Sequence, residues 1–179
     1  MKIKAFTLLF VFQFIIITTF AQKSAGLGSL LNKNAEFIFP QTTEKISAAL
    51  NVKAVISDNE ADGERYAEWI TKSGLGIYTT IENKQTVNEI WFGIPDDKFV
   101  VVSGLPYHLT LNKTTVQEAL AKFSKYKVKK TKPDLYGPLE GGTKLEVKIG
   151  DRYVTLFFKK ENILESVYIL LSFIDPAAG

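Results

Sequence analysis

The spacing of hydrophobic and polar positions changes several times along the chain, and each change predicts an element. In "FPQTTEKISAALNV", Ile46, Ala49 and Leu50 recur at helical spacing. They follow a threonine, Thr42 or Thr43, that can cap the first turn, and Glu44 lies where the helix dipole favours an anion. In "LPYHLTLNKTTVQEALAKF" the pattern repeats: Thr114 is the expected N-cap, Gln117 completes a capping box, and Val116, Ala119, Leu120 and Phe123 form the apolar face.

After each helix the period falls to two. "GIYTTIENKQTVNEIWF" (Gly76 to Phe92) and "YVTLFFKKENILESVYI" (Tyr153 to Ile169) align without a gap, each reading as strand, polar turn and strand. Leu145, Val147 and Ile149 alternate in a strand ahead of the second pair, and Tyr66 to Thr71 is its weaker counterpart. The fold class is therefore α+β: two tandem units of helix, variable loop and three-strand antiparallel meander. The expected units are residues 35–95 and 105–175, with an N-terminal segment at 22–34, a connecting strand within 96–104 and a tail at 176–179. Three strands are near the lower limit for a stable sheet, so the units are expected to share a core or one larger sheet.

An even hairpin register puts Ile77 opposite Phe92, Thr79 opposite Ile90 and Tyr78 opposite Trp91. In the second unit it puts Val154 opposite Ile169, Leu156 opposite Val167 and Thr155 opposite Tyr168. One face then carries Ile77, Ile81, Ile90, Phe92, Val154, Leu156, Phe158, Val167 and Ile169 toward the helices. The other carries Tyr78, Trp91, Phe157 and Tyr168 with threonines. Those four aromatics either pack cross-strand or against the neighbouring unit, or form a binding face on the open side of the sheet.

Composition changes where this domain is expected to work. Lys2 and Lys4, the apolar run from Ala5 to Phe20 and the small residues Thr19 and Ala21 read as a secretory signal over residues 1–21, cleaved before Gln22. The apolar run is short of the about 20 residues of a spanning helix, and no transmembrane segment is expected in the mature chain. The chain has no cysteine, so neither a disulfide nor a lipid-bearing cysteine is available. The net charge of +3 falls to +1 when the two leader lysines are removed from 22 basic residues set against 19 acidic ones. Near-neutral balance argues against nucleic acid as a partner.

The capped helix introduced by "LP..LT", the variable loop and the meander ending in an apolar strand resemble one unit of the BamE/BLIP-like family. Two in tandem resemble its beta-lactamase-inhibitor type. The resemblance covers most of Ala35 to Asp175 and rests on element order and apolar spacing. It implies a non-enzymatic module in which a concave sheet or its loops grip another protein. The missing lipid-attachment cysteine departs from the family's lipoprotein branch.

Motifs for catalysis are sparse. His108 is the sole histidine, which rules out a histidine cluster for zinc, and there is no Gly-x-Ser-x-Gly elbow. "DNEADGE" matches the start of a calcium loop, yet its twelfth position is Trp69 where a bidentate glutamate is needed, so it reads as a solvated acidic turn at Asp62-Gly63. "KFSKYKVKKTK" reads as a solvated helix end running into an extended linker, or as weak docking to an acidic surface through Lys127, Lys129 and Lys130. Tyr136, in the following Pro- and Gly-containing loop, is the candidate loop anchor. The expected function is binding without catalysis, cofactor or metal, the partner being another exported or envelope protein and the sharper form an inhibitor of a secreted enzyme. An envelope-assembly accessory, a structural protein or a small hydrolase using acidic residues are the alternatives.

Overall fold

A computed structural model describes residues 22–58, 63–81, 86–95, 99–133 and 139–171. The leader expected over residues 1–21 and most of the acidic turn lie outside them. In chain order the elements are β1 (Lys23–Ser24), β2 (Gln41–Thr42), α1 (Thr43–Leu50), β3 (Val55–Asp58), β4 (Arg65–Ile70), β5 (Gly76–Thr80), β6 (Thr86–Val87) and β7 (Glu89–Gly93). They continue as β8 (Val102–Leu105), β9 (Leu109–Leu111), α2 (Val116–Lys122), β10 (Val128–Thr131), β11 (Thr143–Ile149), β12 (Arg152–Phe158) and β13 (Leu164–Leu170).

Eight strands form one antiparallel sheet in the order β10-β11-β12-β13-β7-β5-β4-β3. The last strands of the two halves, β7 and β13, pair with each other, so two meanders become one α+β fold with a single core. Each meander has four strands where the sequence pattern predicts three. The additions are the outer strands β3 and β10, so "VKKT" (Val128–Thr131) is an edge strand and not a linker beyond a helix end. Lysines suit that position, because charged side chains on an edge discourage pairing with another chain.

Alternation separates the sheet's faces as the pattern requires. On the covered face a row runs Trp69, Ile77, Phe92, Val167, Leu156, Leu145 and finally Lys130. Its first six members are fully buried, beneath Ile46 of α1 and Val116, Ala119 and Phe123 of α2. The pairs of Ile77 with Phe92 and Tyr78 with Trp91 are present, and the β5–β7 ladder ends at the latter. All three pairs expected in the second hairpin are present.

Both helix starts use a threonine. Thr42 Oγ1 accepts from the Lys45 N–H at 3.3 Å. In α2 the cap is Thr115, one residue later than the sequence reading, with Glu118 completing the box: Thr115 Oγ1 accepts from the Glu118 N–H at 3.2 Å, and Glu118 Oε2 accepts from the Thr115 N–H at 2.7 Å. Thr114, buried, instead closes the preceding turn by accepting from the Thr110 N–H at 2.9 Å. The Val116 N–H donates to the Asn162 carbonyl at 3.1 Å, which fixes the start of α2 to the β12–β13 hairpin.

The N-terminal segment belongs to the fold. β1 pairs in parallel with β8, and Ala25, Leu27 and Leu30 are buried in the common core. Glu36 bridges to Arg152 of β12 at 3.2 Å, beside Tyr107. Burial first, and the Glu36 charge among lesser causes, pushes the Tyr107 phenol from 10.0 up to about 12. The folded state therefore favours the neutral phenol, and this stability is complete below pH 10 and lost as pH rises from 10 to 12. Allowing for partial exposure, urea midpoints should fall across that window by the equivalent of about 1–2 kcal/mol. Tyr107→Phe should flatten the fall; an unchanged slope in that variant would assign it to other groups.

Candidate functional site

The face away from the helices carries a second continuous row, one residue per strand: Val55, Glu68, Tyr78, Trp91, Tyr168, Thr155, Glu146 and Lys129. Three of the four aromatics expected on this face lie side by side at its centre. The register that buries Ile77 and Phe92 necessarily brings out Tyr78 and Trp91 beside them.

Trp91 anchors the cluster. Its ring stacks on Phe157 at 5.1 Å with 29° between planes, and tilts against Tyr168 at 5.8 Å. Phe157 is only 8% exposed and serves as support beneath Trp91, so the accessible aromatic surface is made by Tyr78, Trp91 and Tyr168. Leu156, Phe157 and Phe158 are all buried although β12 alternates, because Leu156 and Phe158 face the core while Phe157, on the open side, lies under Trp91.

Opposed glycines let these rings lie along the sheet. A Cβ at Gly76 would stand 2.9 Å from the Tyr78 ring and hydroxyl, and one at Gly93 would stand 3.2 Å from Trp91 Nε1. The rings thus cover backbone that a side chain would otherwise fill, making a broad surface instead of isolated projections.

Two grooves flank Tyr168. One, about 340 Å³, is lined by Tyr66, Tyr78, Thr80, Glu89, Trp91 and Tyr168. The other, about 570 Å³, is lined by residues that include Lys129, Glu146, Lys148, Tyr153, Thr155 and Tyr168. In the first, the Thr80 hydroxyl donates to Glu89 Oε1 at 2.5 Å and the Tyr168 hydroxyl donates to Glu89 Oε2. Burial, then the bond to Glu89 and its charge, raises the Tyr168 phenol well above its ordinary value, which keeps it a donor at neutral pH. In the second groove, Glu146 pairs with Lys144 at 3.4 Å and Lys129 at 3.6 Å, and Lys148 Nζ lies 5.2 Å above the Tyr153 ring.

The basic stretch is divided by its own alternation. Lys129 faces the open side and Lys130 the helix side, while Lys127 precedes the strand, so the three do not form one patch. Tyr136 lies outside the described residues. His108 is exposed at the end of a tight turn, Pro106–His108. The sequence reading places Thr80 on the open face without a role and does not include Glu89 or Tyr66 there. The available signal was their spacing, since Glu89 stands two residues before Trp91, and Thr80 two after Tyr78, on the same face.

Among the described residues no group of three or more His, Cys, Asp or Glu side chains could hold a metal ion, and no helix is long and apolar enough to cross a membrane. Compared with known protein families, curated proteins and solved structures, the chain has no match.

Proposed function

We propose that the protein is an exported, non-enzymatic binding module whose open sheet face grips another exported or envelope protein. The observation that carries this reading is the asymmetry of the large sheet. One face is closed by two helices, and the other presents Tyr78, Trp91 and Tyr168 along one groove, with a second groove beyond Tyr168. Half-buried aromatics with few rotatable bonds supply contact area at little ordering cost, which is why such residues dominate the binding energy of protein interfaces. Inhibition of a secreted enzyme is the sharper form of the proposal, in keeping with the resemblance to tandem-unit inhibitors. An envelope-assembly accessory would use the same face.

The test is capture of partners from the envelope and secreted fractions of the host, identified by mass spectrometry. Trp91→Ala and Tyr168→Ala should each weaken capture at least tenfold, as substitutions at central aromatic anchors do, while far-UV circular dichroism stays unchanged. Capture that survives the double substitution intact would move the binding surface elsewhere.

A further inference from the structure

We infer that the groove between Tyr66, Tyr78, Trp91 and Tyr168 receives a cationic side chain of the partner, a guanidinium or ammonium group, with Glu89 as its counter-ion. The inference rests on the open-face reading and specifies the chemistry of what is held there.

Its first support is the hydrogen-bonding capacity left in the groove. The Tyr66 hydroxyl donates to Glu64 Oε2 at 2.8 Å, the Thr80 hydroxyl to Glu89 Oε1 at 2.5 Å, and the Tyr168 hydroxyl to Glu89 Oε2. These three protons are already committed within the protein. What the Thr80 and Tyr168 hydroxyls and the Glu89 carboxylate still offer is lone pairs, and each carboxylate oxygen can accept more than one bond. A ligand that completes the site must donate.

The second support is charge. No lysine or arginine among the described residues lies within ion-pairing distance of Glu89. Glu68 stands opposite Tyr78 in the register and adds a second negative charge to this half of the face. The basic side chains of the face, Lys129, Lys144 and Lys148, are on β10 and β11, three or four strands from β7. At the usual strand spacing that is roughly 14–19 Å, beyond a Debye length of about 8 Å at physiological salt.

The third is the walls. Aromatic faces carry negative quadrupole charge, so rings and carboxylate favour the same kind of ligand. The sheet already uses this contact once on the same face, where Lys148 Nζ sits above Tyr153. A guanidinium can stack on a ring while its N–H groups reach Glu89, which an uncharged side chain of equal size cannot match in strength.

Two indoles make the test direct. Trp69 is fully buried and donates to Ser47 Oγ at 2.8 Å, whereas Trp91 lines the groove. In the ¹⁵N-labelled protein, titration with Nα-acetyl-arginine amide should shift the Trp91 indole N–H signal saturably, with half-saturation on the order of 10 mM, and leave that of Trp69 unmoved. The neutral isostere Nα-acetyl-citrulline amide should bind at least tenfold more weakly. Glu89→Gln keeps an acceptor oxygen for one of the Thr80 and Tyr168 hydroxyls and offers its amide N–H to the other, and should reduce arginine binding about tenfold with far-UV circular dichroism unchanged. In the unsubstituted protein, raising salt to about 0.5 M should weaken arginine binding several-fold. Equal responses to arginine and citrulline, or no saturable Trp91 shift up to about 100 mM, would overturn the inference. So would full partner capture by Glu89→Gln; loss of capture in Trp91→Ala alongside it would leave the open-face reading standing.

Discussion

Replacing Trp69 by alanine is expected to destabilise the protein by about 3–5 kcal/mol, a large part of the total stability of an ordinary domain. Trp69 begins the covered row of the large sheet and is fully buried there. Its Nε1–H donates to Ser47 Oγ at 2.8 Å and so ties β4 to α1. Truncation would open a cavity under the helix and remove that bond. Urea unfolding should show a much lower midpoint, with loss of the buried indole's near-UV signal. Trp91→Ala removes the same residue from the opposite face. There it deletes a stack on Phe157 and uncovers Gly93 without emptying the core. Its cost should be on the order of 1 kcal/mol. A loss below about 1 kcal/mol for Trp69→Ala would contradict the assignment of faces, and with it the use of Trp91→Ala as a test of function.

That assignment is the part of the fold most legible in the sequence. The two hairpins alternate over long stretches, and shifting either by one residue would exchange Phe92 for Trp91 in the core. The elements that escaped notice are those whose partners are distant or whose residues serve an edge. β3 and β10 have four residues each, and the lysines that suit β10 to an edge also give it the look of a helix end. β1 is two residues long and pairs with a strand about 80 positions away, so no local period marks it. Thr114 and Thr115 both satisfy the capping-box pattern, with Gln117 and Glu118 respectively. Only the demand of the preceding turn for a buried acceptor decides between them.

The candidate site divides in the same way. The central aromatics follow from register alone, since Tyr78, Trp91 and Tyr168 must share whichever face the core does not take. That Phe157 is a support rather than a contact depends on the Trp91 ring lying across it from two strands away, which no alternation pattern reveals. The acceptor character of the groove depends on which hydroxyls spend their protons on Glu64 and Glu89. That is settled only when β4, β5, β7 and β13 lie side by side.

Gly142→Ala is expected to be as damaging as the loss of Trp69, by the opposite mechanism of adding an atom. A Cβ at Gly142 would lie 2.0 Å from the Phe158 carbonyl oxygen and 3.0 Å from that of Leu139. Both obstacles are backbone, so no rotamer change relieves them. The Gly142 N–H also donates to the Leu139 carbonyl at 3.0 Å, closing the turn that delivers the chain into β11. Accommodation requires β11 and β12 to separate at the Thr143–Phe158 pair, next to Phe157, the ring that lies beneath Trp91. Overpacking a rigid site usually costs about 1–3 kcal/mol, and a clash of backbone with backbone belongs above that range. Gly150→Ala supplies the comparison. Its φ of +62° makes alanine strained, but nothing stands within 4 Å of the added methyl. Its cost should stay near 1 kcal/mol. Urea midpoints measured side by side should rank Gly142→Ala far below Gly150→Ala. If Gly142→Ala remains folded, the Trp91 indole signal should move, because its supporting ring has been displaced. Equal midpoints would show that close approach at this corner does not hold the site in shape.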